Sequence, residues 1–153
     1  MRKLSSLLLV VLLGVFSVGC DSSDDASDAE AFVGVWALTN VEDADGSQLE
    51  AFGSAFSSVV LTNSADNSFT LNVTPRQGSA MSIPGTYVIN ESTNSFTLNA
   101  NLGGSTAPLA FTYNFVSDTV VTLQAGASTA VLLNSLFGTS LEAPATITIT
   151  RQQ

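Results

Sequence analysis

The sequence predicts an all-β fold: an antiparallel up-and-down β-barrel of about eight strands with one or two short helices. Three observations predict it. From Phe32 onward apolar residues recur with a period of two, the signature of half-buried strands. Turn-forming clusters interrupt that pattern at short intervals, as hairpin-connected strands require. The chain is 153 residues long, 45% hydrophobic and only 11% charged, which is one domain's worth of material with too much apolar content for a disordered polymer. Alternation alone leaves a β-sandwich open as the alternative, since it does not say whether the first and last strands meet.

The first element is a leader. Met1 to Gly19 carries basic Arg2-Lys3, an apolar run from Leu4 through Phe16 and small residues at its end, the three parts of a secretory signal peptide. Its longest apolar run, Leu7 to Phe16, is too short and too N-terminal for a permanent membrane span. Ser17-Val18-Gly19-Cys20 resembles the lipobox of bacterial lipoproteins. That resemblance implies lipidation of Cys20, the only cysteine, and a membrane anchor through its acyl chains. Ser17 stands where that family usually has Leu, and the same small-x-small pattern suits an ordinary signal peptidase, which would leave a free thiol. Residues 20–31 follow as an acidic tether with Asp21, Asp24, Asp25, Asp28 and Glu30 set among Ser and Ala, a composition that stays solvated. The acidic stretch resembles the surface-export signal of some Bacteroidetes-type lipoproteins, whereas Asp21 directly after the cysteine resembles an inner-membrane retention signal. Of the two, the outer membrane or cell surface is favoured.

The body, residues 32–153, reads as a strand meander. Phe69-Leu71-Val73 alternates with Thr70-Asn72-Thr74, and Phe96-Leu98-Ala100-Leu102 with Thr97-Asn99-Asn101. Leu109-Phe111-Tyr113-Phe115 and Ile147-Ile149 continue the pattern against Thr, Asn and Ala. One face is apolar and the other hydroxyl- and amide-rich, so one side packs inward and the other meets water. Turns are expected at Asp43-Ala44-Asp45-Gly46, Ser64-Ala65-Asp66-Asn67, Pro75-Arg76-Gln77-Gly78, Glu91-Ser92-Thr93-Asn94, Gly103-Gly104 and Ser117-Asp118. Asn67-Ser68-Phe69-Thr70-Leu71-Asn72 is echoed 27 residues later by Asn94-Ser95-Phe96-Thr97-Leu98-Asn99, with a looser third copy from Thr119 to Leu123. Repeated hairpins of similar make produce such an echo. Two stretches break the period: Leu49, Phe52, Phe56 and Val60 form the stripe of a short amphipathic helix, and Val131, Leu132, Leu133, Leu136 and Phe137 form another, capped by Ser128 or Thr129 and ended by Gly138. Both are expected as lids over a barrel end.

Gly34-Val35-Trp36, within Phe32 to Glu42, resembles the opening of lipocalin-like domains, and the later strands up to Ile147-Thr148-Ile149-Thr150-Arg151 are similar to those of lipocalin-like bacterial lipoproteins. The resemblance implies that Gly34 and Trp36 close one end of a barrel and that Arg151 packs on Trp36. An exposed terminal arginine is the other reading of Arg151. Gly-x-Trp tips the fold towards the closed barrel.

The chemistry available to this chain is narrow. There is no His, and beyond the leader only Arg76 and Arg151 face 13 carboxylates, a net charge of −11 from Cys20 onward. Phosphate binding needs a basic patch, which argues against nucleic acid as a partner. Without imidazole no Ser triad can be drawn, and zinc, copper and iron sites lack their usual ligands. No metal site, cofactor or enzymatic activity is expected. Glu42-Asp43-Ala44-Asp45-Gly46 has a fragment of calcium-loop spacing, but the downstream acid is misplaced, so a hairpin turn is preferred. Two functions remain. A barrel interior lined by Leu38, Leu71, Tyr87, Phe96, Phe111, Tyr113 and Phe115 would bind a small lipophilic ligand. Alternatively these side chains fill the interior, and the protein is an anchored scaffold or interaction module of the envelope. In either case a monomer is expected.

Overall fold

The structure, a computed structural model, describes residues 27–153; the leader, Cys20 and most of the tether lie outside the described residues. The elements are α1 (Asp28–Phe32), β1 (Gly34–Asp43), β2 (Gly46–Ser47), α2 (Leu49–Ala55), β3 (Phe56–Asn63), β4 (Ser68–Pro75), β5 (Met81–Asn90), a 3₁₀ turn at Glu91–Thr93, β6 (Ser95–Asn101), β7 (Thr106–Ser117), β8 (Val120–Ala125), α3 (Ala127–Phe137) and β9 (Ala145–Arg151). Eight strands run antiparallel in the order β1-β3-β4-β5-β6-β7-β8-β9, and β9 pairs back onto β1 from Trp36↔Arg151 to Glu42↔Thr146. The cylinder is therefore closed, and the sandwich is ruled out. β2 is a two-residue ribbon folded against β1.

The alternation of the sequence maps directly onto this wall. Phe69, Leu71 and Val73 of β4, Phe96, Leu98 and Ala100 of β6, Leu109, Phe111 and Tyr113 of β7, and Ala145, Ile147 and Ile149 of β9 are all buried, while their Thr and Asn neighbours lie outside or at the boundary. Burial of these side chains supplies the main driving force for closure. At Gly85 a Cβ atom would lie 2.2 Å from the Asn99 carbonyl oxygen and 2.6 Å from the ring of Phe69. Phe69 is its direct ladder partner, so the aromatic ring covers the glycine from the inside.

The echoed motif has a structural counterpart. Asn67 and Asn94 both adopt left-handed backbone, φ 63° and 47°, a conformation that asparagine tolerates. Each accepts a 2.8 Å hydrogen bond on its carbonyl, from the N–H of Tyr87 and of Tyr113 respectively; in the third copy Thr119 accepts one from the N–H of Arg151, also at 2.8 Å. Three hairpins thus finish at the same end of the barrel with one device, bringing Tyr87, Tyr113 and Arg151 to matching positions.

Three expectations need correction. The stripe Leu49, Phe52, Phe56, Val60 is not one helix: α2 stops at Ala55, and Phe56 and Val60 belong to β3, where pairing with Pro75 and Asn72 of β4 claims them. Helical spacing there coincides with a run of β-branched residues that prefer a strand. α3 does end at Gly138, but neither Ser128 nor Thr129 caps it; Gly126 is the N-cap and Thr129, inside the helix, donates its hydroxyl to the Ala110 carbonyl of β7 at 2.8 Å. Finally, Asp28 to Ala31, expected in the tether, form most of α1, started by a reciprocal Ser27–Glu30 capping box.

Candidate functional site

One end of the barrel is plugged. α1 ends in Phe32, which is wholly buried and inserted among aromatic rings: stacked on Phe96 at 4.6 Å, edge-on to Tyr113 at 5.1 Å, tilted against Phe115 at 5.0 Å and 6.1 Å from Trp36. Its carbonyl accepts hydrogen bonds from Trp36 Nε1 at 2.8 Å and Asn63 Nδ2 at 3.1 Å. The Tyr113 hydroxyl donates to the Asp28 carboxylate, and the Arg151 guanidinium donates to the Ala31 carbonyl, so the polar groups of α1 are held as firmly as its ring. Burial, then the Asp28 carboxylate, pushes the Tyr113 hydroxyl well above the usual phenol range; burial and the charge of Asp66 raise Tyr87, whose hydroxyl donates to the Ser64 carbonyl at 2.8 Å.

The residues read as barrel-closing meet at this end. The guanidinium carbon of Arg151 lies 4.8 Å from the centroid of the buried Trp36 ring, a cation–π contact. Gly34 has φ +138°, and a Cβ there would sit 3.8 Å from the same guanidinium carbon; the backbone angle, more than the space, calls for glycine.

The other end is roofed instead of plugged. Above Trp36 lies a cavity of about 70 Å³ whose roof is Phe52 of α2 with Leu133 and Phe137 of α3. Its walls are Leu38, Val59, Leu61, Leu71, Leu98, Leu109, Phe111, Leu123, Ile147 and Ile149. No lining side chain offers a free polar group, since the Trp36 N–H is already bound to Phe32. Phe56 links the two lids, 5.7 Å from Phe52 and 6.0 Å from Phe137. The loop after α3 is tied down by Asn134, which donates to the Leu141 carbonyl at 2.9 Å and accepts from Thr139 Oγ1 and Leu141 N–H at 2.8 and 2.7 Å. Asp43 joins the two lid-bearing segments by accepting from Glu142 N–H at 3.1 Å and Gln48 Nε2 at 3.0 Å. The Glu142 N–H is the main cause holding its carboxyl below the usual range.

Of the seven residues expected to line a ligand site, Leu38, Leu71 and Phe111 do line the cavity. Tyr87, Phe96, Tyr113 and Phe115 do not. They are inward-facing but stand at the plugged end, where Phe32 occupies or borders the space they face. Alternation assigns a side chain to the interior without assigning its height along the axis. The same signal covers Leu98, Leu109, Leu123, Ile147 and Ile149, which line the cavity too. Among the described residues no group of three or more His, Cys, Asp or Glu comes together, and no helix is long and apolar enough to cross a membrane.

A closed eight-stranded antiparallel barrel with a few short helices, one end shut by Gly-x-Trp and an arginine, is a lipocalin-like fold. Among solved structures, the chain is similar to a lipocalin-like protein from Bacteroides uniformis, with a TM-score of 0.50 and 11% identity over 80% of this chain and 99% of that one. A de novo designed fluorescence-activating β-barrel is also similar, with a TM-score of 0.49 and 11% identity over 81% of this chain and 96% of that one. At such identity the likeness to the natural protein is one of fold. No family model and no curated protein matches the chain.

Proposed function

We propose that this protein is a lipid-anchored lipoprotein of the bacterial cell envelope, monomeric and non-enzymatic, whose barrel binds a small lipophilic ligand. The observation that carries the binding half is the roofed cavity: a void with wholly apolar walls, set between a fixed aromatic floor and two short helices that are separate from the strand ladder. Ligand sites are concave, mostly apolar and placed at barrel mouths. The anchoring half rests on the leader and on Ser17-Val18-Gly19-Cys20; outer membrane or cell surface is the placement favoured by the acidic residues that follow. At about 70 Å³ the cavity is well below the roughly 300 Å³ of a drug-sized site, so a slender alkyl group is the occupant that fits.

That same small volume favours a second reading, in which the core is simply filled and the barrel is an envelope scaffold. Native mass spectrometry of the protein purified from its own envelope separates the two. Acyl mass on Cys20 together with a co-purified lipophile is the expected result. An unmodified Cys20 overturns the anchor, and a bare protein mass with no thermal stabilisation by added fatty acid leaves the scaffold.

A further inference from the structure

The barrel wall has a seam. β1 and β3 pair only between Gly34–Ala37 and Val60–Asn63, although β1 continues along β9 to Glu42 and β3 extends along β4 to Phe56. Past Ala37 the two strands part, and each is irregular on its other side, between Leu38 and Asn40 against β9 and between Phe56 and Ser58 against β4. α2 sits beside this opening and leaves a groove of about 200 Å³ that opens to solvent. Groove and cavity share Leu38, Phe52 and Val59 as lining residues. These three side chains are the partition between them.

Arg76 stands on the groove. Its backbone N–H donates to the Ala55 carbonyl at 2.9 Å and its Nε donates to the Gly53 carbonyl, both in the last turn of α2, so the guanidinium is oriented while its two terminal amino groups keep no protein partner among the described residues. The only other described cation, Arg151, is spent on the plug. In a chain with 13 carboxylates, this exposed arginine pairs with none of the described ones and stands over a groove of mixed lining, with Ser57 and Ser58 beside Leu38, Phe52 and Val59. Its free edge matches the planar fork of a carboxylate.

We infer that the β1–β3 seam is a side entrance and headgroup site for a straight-chain carboxylic acid, whose carboxylate is held by Arg76 and whose alkyl chain passes Leu38, Phe52 and Val59 into the cavity. This rests on the ligand-binding reading above and deepens it by naming the ligand class. It also accounts for size: the cavity takes the end of the chain and the groove takes the rest.

Photolabelling of the full chain in phosphatidylcholine nanodiscs tests it, with a diazirine-tailed decanoic acid, the matching decanol, and empty nanodiscs as the baseline. The expected result is that the acid labels peptides carrying Leu61 or Leu71 and that Arg76→Gln cuts this labelling about tenfold, the scale of one charge-assisted hydrogen-bonded contact. Arg76→Lys retains most of the labelling, and the alcohol changes by less than about twofold in either variant. Arg76→Gln and Arg76→Lys both lose the Nε bond to Gly53, so any effect of that bond on the fold is common to the two and is read by circular dichroism, while only Arg76→Gln removes the charge. Equal interior labelling by acid and alcohol, unmoved by Arg76→Gln, overturns the headgroup site and leaves the cavity reading intact. Absence of interior labelling by either probe overturns both.

Discussion

The two ends of this barrel are shut by opposite means. At the plugged end a single residue, Phe32, enters from outside the strand ladder, fills the axis with its ring and saturates two side-chain donors with its carbonyl. At the roofed end Phe52, Leu133 and Phe137 meet over a void through apolar side chains, and the hydrogen bonds lie in the segments around them, from Thr129 to β7 and from Gln48 and Glu142 to Asp43. Directional bonds and stacked rings specify one arrangement, whereas apolar contacts between short helices permit several of similar energy. Directional bonding converges on the plugging residue itself, whereas the three side chains over the cavity touch it only through apolar surface.

The largest expected effect comes from Phe32→Ala, which removes a wholly buried ring and costs about 3–5 kcal/mol, read as a shift in the urea midpoint. A cost no greater than that of a roof substitution would break the contrast. Gly85→Ala follows at about 2–3 kcal/mol, since its Cβ meets backbone and cannot be relieved by a side-chain rotation. Phe137→Ala is smaller, about 1–2 kcal/mol for a half-buried roof residue, and it enlarges the cavity, so interior labelling by a lipophilic probe rises while stability falls only modestly. The smallest effect is at alkaline pH. The folded protein keeps the Tyr113 and Tyr87 hydroxyls protonated above their usual range, whereas the unfolded chain ionises near pH ~10. Unfolding then releases protons, so stability is full below about pH 10 and declines as pH rises beyond it. Tyr113→Phe flattens that decline in thermal melts and costs about 1 kcal/mol at neutral pH through loss of the bond to Asp28.

Much of the barrel was legible in its sequence because period-two alternation is a local consequence of strand geometry: it places Phe69, Leu98 or Ile147 inward without knowledge of any partner. Closure was legible only through Gly34-x-Trp36, and Phe32 was not legible as a plug, since it precedes Gly34 in what reads as continuous strand pattern. Its role depends on α1 folding back over rings drawn from β6 and β7. The roof residues were marked by their helical spacing, but the point where α2 yields to β3 depends on pairing with β4, a tertiary fact. Arg76 reads as an ordinary turn residue, and only the parting of β1 from β3, which no local pattern encodes, puts it over a groove.

Both ends of the polypeptide depart from the same pole. Asp28 is bonded to Tyr113 beside the plug, and Gln152 donates its N–H to the Val35 carbonyl at 2.8 Å at the first turn of the wall. Whatever is attached ahead of Ser27, including the acyl chains proposed on Cys20, is moored to the sealed base, and the helical cover is turned away from the mooring. Under the anchor proposed on Cys20, the helical cover and its cavity are the end of the barrel farther from the point of attachment. A fluorescent or affinity fusion at the C-terminus, which leaves from the plugged pole beside Val35, keeps clear of the helical cover.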